Sequence, residues 1–313
     1  MNRHSLTRRE FGASCAALGL SLSALGAEST SARRTVRLPS GTLVPAIGQG
    51  AWHLGQGRHP VAVEEEAMRT GLSLGMTLID TSGNYGSGRS EQFLSHVIAG
   101  QRNRIFLVSK VEADEVSADG IGRACDASLT RLGTDYLDLY LLHAPVDSSL
   151  FAGVVAAFEQ LRGAGKIRAW GVSNFDTGQM QDLWGVPDGA RCATNQVPYS
   201  LHNRRIERDL LPWCTRHGMP VMAYSPLGGD RNLVVGDPTL AQIAGAHACS
   251  PAAVALAWVI RSGRVIAIPE SGSPAHTREN AGAFSVALTA RDLQVLAATY
   301  PGPNALAAPH NAF

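Results

Sequence analysis

Eight short apolar runs recur along this chain, and nearly every one stops on a polar or aromatic residue. They span residues 46–48, 77–79, 105–110, 136–143, 167–173, 193–197, 220–225 and 264–268. Runs this short and this apolar read as strands buried on both faces, the pattern of a parallel sheet. Parallel strands need crossover connections, which are usually helices. Amphipathic segments lie between the runs, for example residues 61–74, 120–132 and 154–163. With no linker or break in composition along the way, this alternation predicts an α/β protein with a single (β/α)8 TIM barrel over residues 33–313. An open doubly wound sheet would want Gly-x-Gly-x-x-Gly after its first strand. Gly48-Gln-Gly50-Ala-Trp-His does not complete that pattern. Ahead of the first run, residues 34–46 alternate apolar and polar around Ser40-Gly41. They predict an N-terminal β-hairpin, placed as a lid on the barrel floor.

In such barrels, chemistry gathers where strands end and βα loops begin. The C-terminal ends of the runs carry Trp52, Asp80, Lys110, His143, Ser173-Asn174, Gln196, Tyr224-Ser225 and Glu270-Ser271. Strand ends meet water and are often polar, so singly most of these mean little. Together, one carboxylate, one ammonium and one imidazole in neighbouring units form a catalytic inventory, completed by the phenol of Tyr85 in the Gly-rich loop after Asp80. Lysine usage sharpens this. Of the 27 Lys and Arg residues, only Lys110 and Lys166 are Lys. A chain that writes Arg almost everywhere keeps a compact ammonium at the end of one strand, where a wide guanidinium fork would not point at a single atom.

Other readings of the chain bound its role. The formal net charge is +1, and no basic face interleaves with aromatics, which argues against nucleic acid as a partner. No apolar run reaches the length of a membrane span, so no stable membrane anchor is expected. Residues 1–32 read as an export signal. Arg3, Arg8 and Arg9 form a positive start, Thr7-Arg-Arg-Glu-Phe11 has the form of a twin-arginine signature, and a mildly apolar run leads to small residues suited to cleavage. The expected partner is then the twin-arginine export machinery, with the periplasm as destination. An uncleaved extension on a cytoplasmic protein is the alternative, and a monomer is expected. Cys125, Cys192, Cys214 and Cys249 show no metal-binding or Cys-x-x-Cys spacing, so no metal is expected and buried thiols are the simpler reading.

Several motifs then point the same way. They are Asp80-Thr-Ser-x-x-Tyr85-Gly, Val108-Ser-Lys110, Leu141-Leu-His143, Gly165-Lys-Ile-Arg-x-x-Gly-Val-Ser-Asn174, Asn195-Gln196, Ala223-Tyr-Ser-Pro-Leu227 and Ile268-Pro-x-Ser271. In this order and over about residues 35 to 301, they resemble the signature of the aldo-keto reductases, and within them the bacterial reductases of methylglyoxal and other small aldehydes. The resemblance implies an NADP(H)- or NAD(H)-dependent reduction of aldehydes and ketones. Hydride addition builds negative charge on the carbonyl oxygen, so a proton donor and a positive field beside it lower the barrier. By that resemblance Tyr85 is the general acid, Lys110 and Asp80 tune it, and His143 orients the substrate. A nearby ammonium is expected to lower the phenol's pKa from its ordinary value of about 10. The resemblance also places Ser173, Asn174 and Gln196 on the nicotinamide carboxamide and Tyr224 against the nicotinamide ring. Ser225, Leu227 and Gly229 fall along the pyrophosphate, Glu279 and Asn280 near the adenine, and Trp52 in the substrate pocket.

One departure from the family pattern concerns the cofactor. The family run after the last strand is Ile-Pro-Lys-Ser with an Arg a few residues on, both gripping the 2′-phosphate of NADPH. This chain has Ile268-Pro-Glu270-Ser271, with His276 in place of that Arg and Arg278 close by. A carboxylate there opposes a dianionic phosphate and can accept from a free ribose hydroxyl, so a shift toward NADH is expected. Two rival functions remain: a nicotinamide-binding sensor with little turnover, and a lyase using Lys110 as a Schiff-base nucleophile.

Overall fold

The computed structural model describes residues 34–117, 119–229 and 234–303. The expected export signal lies outside them. The chain opens with β1 (Thr35–Arg37) and β2 (Leu43–Pro45), an antiparallel hairpin in the register Val36↔Val44. Its turn uses Gly41 at φ 88°, a left-handed conformation that suits glycine. Val36, Leu38 and Val44 are buried, while Arg34 donates to the carbonyl of Val286 at 2.6 Å. The hairpin feeds the N-terminal end of the first barrel strand, opposite the strand ends that carry the chemistry.

The barrel follows in chain order: β3 (Gln49–Gly50), α1 (Val61–Ser73), β4 (Leu78–Asp80), α2 (Arg89–Ile98), β5 (Phe106–Val111), α3 (Gly120–Leu132), β6 (Leu137–Leu142), α4 (Phe151–Gly163), β7 (Ile167–Ser173), α5 (Thr177–Gly185), β8 (Asn195–Pro198), α6 (Leu210–Arg216) and β9 (Val221–Tyr224). Then come α7 (Pro238–Ala246), α8 (Pro251–Val259), β10 (Val265–Ala267), α9 (Pro274–Gly282) and α10 (Ala290–Thr299). Strands β3 to β10 pair in parallel with their sequence neighbours. Ile47 bridges Ala267 and Gly50 bridges Glu270, so the first strand meets the last and the sheet closes. That closure decides against the open doubly wound sheet. The first run was expected at 46–48. It lies in the sheet through single bonds to the last strand, Gly48 N to Ala267 O and Ala267 N to Ala46 O, both 2.8 Å. Continuous pairing with β4 starts only at Gln49, which moves the strand by a few residues.

Local chemistry explains the element ends. Helices α7, α8 and α9 each begin with Pro, behind Asp237, Ser250 and Ser273, whose side chains accept from the first-turn amides. Pro costs nothing at that position because its missing N–H would have no helical partner. Every residue of β6 is buried, including Asp138 near its start. That carboxylate accepts from Arg102 at 2.8 Å, Arg168 at 3.1 Å and the amide of Leu107 at 3.0 Å. It locks the barrel floor and stands at the opposite end of its strand from the catalytic inventory. Cys125, Cys192 and Cys214 are buried free thiols and Cys249 is half-buried. Burial pushes the first three up to about 12, so they stay protonated.

Candidate active site

Strand β4 ends on Asp80 and the neighbouring β5 carries Lys110, whose side chain is sealed from solvent. An ammonium has three donors, and all three of Lys110 are engaged. Nζ donates to Asp80 Oδ2 at 2.8 Å, to the Thr81 carbonyl at 2.8 Å and to Tyr85 Oη at 3.1 Å. The second oxygen of Asp80 accepts from Gln196 Nε2 at 2.7 Å. Burial alone would push Lys110 down, but the Asp80 carboxylate and the Tyr85 oxygen outweigh it, so the pKa rises and the ammonium stays charged.

The phenol departs from expectation. Tyr85 shows an edge to the cavity, but burial dominates and pushes its pKa above the ordinary value. Lys110 pulls it down, as the sequence suggested, while the Asp80 carboxylate pushes it back up. The net direction is upward. Lys110 therefore does not deliver a readily ionised phenol. It holds a protonated one and moderates the cost of its ionisation.

These groups line a cavity of about 680 Å³ at the C-terminal end of the barrel. His143 stands edge-on to Tyr85, with ring centroids 5.7 Å apart. Trp52 is 57% exposed and stacks on His53 at 4.3 Å, so it is a cavity wall and not a core residue. Ser173 and Asn174 close the next strand. The Ser173 hydroxyl donates to the Gln196 carbonyl at 2.8 Å. The Asn174 amide donates to the His143 carbonyl and to Ser173 Oγ, both at 3.1 Å, and accepts from Tyr224 Oη at 3.0 Å. Asn174 and Ser225 hold left-handed conformations, φ 64° and 46°, which non-glycine residues adopt at a cost usually tolerated only at functional loops.

Ser225, Leu227 and Gly229 also line the cavity, as do Gln196, Tyr224 and Glu270. Gly228 has φ 102°, and a Cβ on Gly229 would meet nothing within 4 Å. This turn lets backbone approach a pyrophosphate closely, and with the polar group Ser173–Asn174–Gln196 it fits a nicotinamide dinucleotide. Ser271, His276, Glu279 and Asn280 do not line this cavity; they lie before and on α9, with His276 and Glu279 exposed and Asn280 buried. Two residues of the site escaped the sequence reading. They are Glu112, which bonds to His143, and His53, which holds Glu270 through its backbone amide and its Nδ1, both at 2.9 Å. Glu112 was within reach, because two residues beyond Lys110 an extended chain returns to the same side. Nothing local signals the pairing of His53 with Glu270.

The mouth of this closed parallel barrel gathers a phenol, a buried Asp–Lys pair and an imidazole around one cavity. The chain belongs to the aldo/keto reductase family, whose profile matches residues 46–300. It is 46% identical over 274 residues to the methylglyoxal reductase YeaE of Escherichia coli (strain K12), covering 87% of this chain and 96% of that protein. Two solved structures of an aldo/keto reductase from Klebsiella pneumoniae, one in complex with NADP and acetate and one with NADPH, are each 44% identical with a TM-score of 0.83. Each comparison covers 87% of this chain and 96% of the other.

Proposed function

We propose that this chain reduces small aldehydes and ketones to alcohols with NADPH or NADH. The observation that carries the reading is Tyr85 Oη, 3.1 Å from an ammonium whose remaining donors are spent on Asp80 and Thr81. The Klebsiella relatives hold NADP and NADPH, and the E. coli relative is a methylglyoxal reductase, which supports the cofactor and the substrate class.

The bound dinucleotide supplies the hydride. Ser173, Asn174 and Gln196 hold its carboxamide, Tyr224 faces the ring, and Ser225, Leu227 and Gly229 follow the pyrophosphate. Glu270, Ser271 and His276 border the ribose 2′ position, and Glu279 and Asn280 the adenine. Tyr85 donates its proton to the carbonyl oxygen as charge builds there. Lys110 then stabilises the phenolate left behind, and Asp80 fixes Lys110 in that position. Burial leaves Tyr85 protonated but a weaker acid, which the Lys110 ammonium offsets by stabilising the phenolate. His143 orients the carbonyl, and Trp52 walls the substrate side. This intact set favours turnover over a sensor role.

The test is oxidation of NADPH and NADH by purified protein against a panel of small aldehydes, ketones and sugars, together with Tyr85→Phe. The variant should lose on the order of 100-fold or more in turnover while its fluorescence titration with cofactor stays near wild type. Near-normal turnover in the variant overturns the role of Tyr85, and no turnover by wild type overturns the reading. We also propose export by the twin-arginine route, on the strength of Thr7-Arg-Arg-Glu-Phe11. Folding around a dinucleotide before export would stabilise the barrel by mass action.

A further inference from the structure

Glu112 lies just beyond β5 and has no part in the scheme above. Its Oε1 is hydrogen-bonded to Nδ1 of His143. The same oxygen accepts from Ser82 Oγ at 3.2 Å, and that hydroxyl lies 3.4 Å from the same Nδ1. Both partners are anchored. The Glu112 amide donates to Glu115 Oε2 at 3.2 Å, and the amide of Glu115 returns a bond to the Glu112 carbonyl. The backbone of His143 is held from both sides, by the Val111 carbonyl at 2.9 Å and the Asn174 amide at 3.1 Å.

The ionisation state of Glu112 decides what this contact means. Partial burial alone would push its carboxyl up, but the bonds from His143 and Ser82 outweigh it and hold it below the usual carboxylate range. An ionised carboxylate only accepts hydrogen bonds. Whatever ring nitrogen faces it must carry a proton, and which nitrogen is protonated is set by the bond the other edge makes.

We infer that Glu112 is a positioning residue that fixes the ring proton of His143 on Nδ1, so that Nε2 meets the cavity as an acceptor until the ring takes a second proton. The inference rests on the reading that His143 meets the substrate carbonyl. A neutral ring in this tautomer cannot donate to that oxygen, whereas a doubly protonated ring can, with Glu112 as its counter-charge. Among the described residues, the charged and titratable groups facing the ring are few. Glu112 faces it from the loop after β5 and Tyr85 from the loop after β4, with Asp80 and Lys110 behind Tyr85. The last two pair with each other, and Glu112 is the charged group bonded to the imidazole. Carbonyl reduction should therefore be faster with the doubly protonated ring than with the neutral one.

The experiment has two arms. The first is a two-bond proton–nitrogen correlation spectrum of the ¹⁵N-labelled full chain without substrate, with the pH raised until the nitrogen shifts show the ring neutral. His143→Asn assigns the resonance. The ring should show the Nδ1–H tautomer; the Nε2–H tautomer would overturn the inference. This arm needs no turnover, so it separates failure of the inference from failure of the reductase reading, which the aldehyde assay decides alone. The second arm is Glu112→Leu, in which the neutral ring is free to carry its proton on Nε2 and donate. Wild-type kcat/KM for an aldehyde should fall about tenfold or more between pH 6 and 8.5, and that of the variant less than about threefold. Identical profiles would also overturn it, because a merely structural Glu112 would lower both limbs alike. If the variant does not fold, the wild-type spectrum still decides.

Discussion

Replacing Lys110 with Met removes an ammonium that is sealed from solvent and leaves Asp80 behind, itself only 3% exposed. At 2.8 Å and an effective dielectric near 20, the pair attracts by about 6 kcal/mol. Most of that is offset by the cost of taking both charges out of water. The net loss on removing one partner of a buried pair is about 3–5 kcal/mol, because the other stays buried and uncompensated. Gln196 still donates to Asp80 in the variant, at 2.7 Å in the native site, which places the loss near the lower end, about 3 kcal/mol. For a domain of this size that lowers Tm by roughly 5 °C. The companion Lys110→Met/Asp80→Asn carries neither charge and should recover stability to within about 1 kcal/mol of wild type. Its turnover should stay depressed by on the order of 100-fold, because no cation remains beside Tyr85. Calorimetry and chemical denaturation on wild type and the two variants, with aldehyde reduction on each, make the comparison. A double variant no more stable than Lys110→Met would refute the assignment of the lost stability to the stranded carboxylate. A double variant with wild-type turnover would refute the role of Lys110 in the reaction.

Lys110→Arg should behave as a disruptive change, since a planar fork cannot direct one compact charge at Asp80, Thr81 and Tyr85 together; an unchanged pH–rate profile at wild-type rate would make Lys110 merely structural. Glu270→Lys should move the kcat/KM ratio toward NADPH by about tenfold or more, and cofactor titration should show the same shift in Kd. A wild type strongly selective for NADPH would contradict this and point to Arg278 as the phosphate partner. Glu207 accepts from Arg204, Arg261 and Tyr199, and despite partial burial these bonds hold its pKa below the ordinary 4.5. Its contribution is thus fully present above that value and fades as pH falls through its depressed pKa. Glu207→Gln should destabilise the chain by about 1–3 kcal/mol at pH 7 and by less near pH 3; an equal loss at both would show that its charge is irrelevant. Arg8→Lys/Arg9→Lys should retain the protein in the cytoplasm with Met1 in place, whereas wild type should fractionate to the periplasm with a cleaved N-terminus; equal retention of both would rule out twin-arginine export.

Much of the architecture is local and was therefore legible in the chain. Buried parallel strands must be apolar on both faces, so the runs at 136–143 and 167–173 declared themselves, and Ser40-Gly41 marked the hairpin turn. The rule that barrel strands present their C-terminal ends to one mouth was enough to gather Asp80, Lys110 and His143, with Tyr85 beside them, before any coordinate was known. What only the tertiary structure decided is how those groups are held and what their environment does to them. Gln196 reaches Asp80 across 116 residues of sequence, His53 reaches Glu270 across 217, and Glu112 reaches His143 across 31. No propensity or spacing encodes such contacts, because they follow from how the closed barrel brings distant strand ends within hydrogen-bond distance. The pKa of Tyr85 makes the same point. The sequence supplied the neighbouring cation and hence the sign of one contribution. The net direction depended on how completely the fold excludes water from the phenol, and desolvation is a property of the assembled packing.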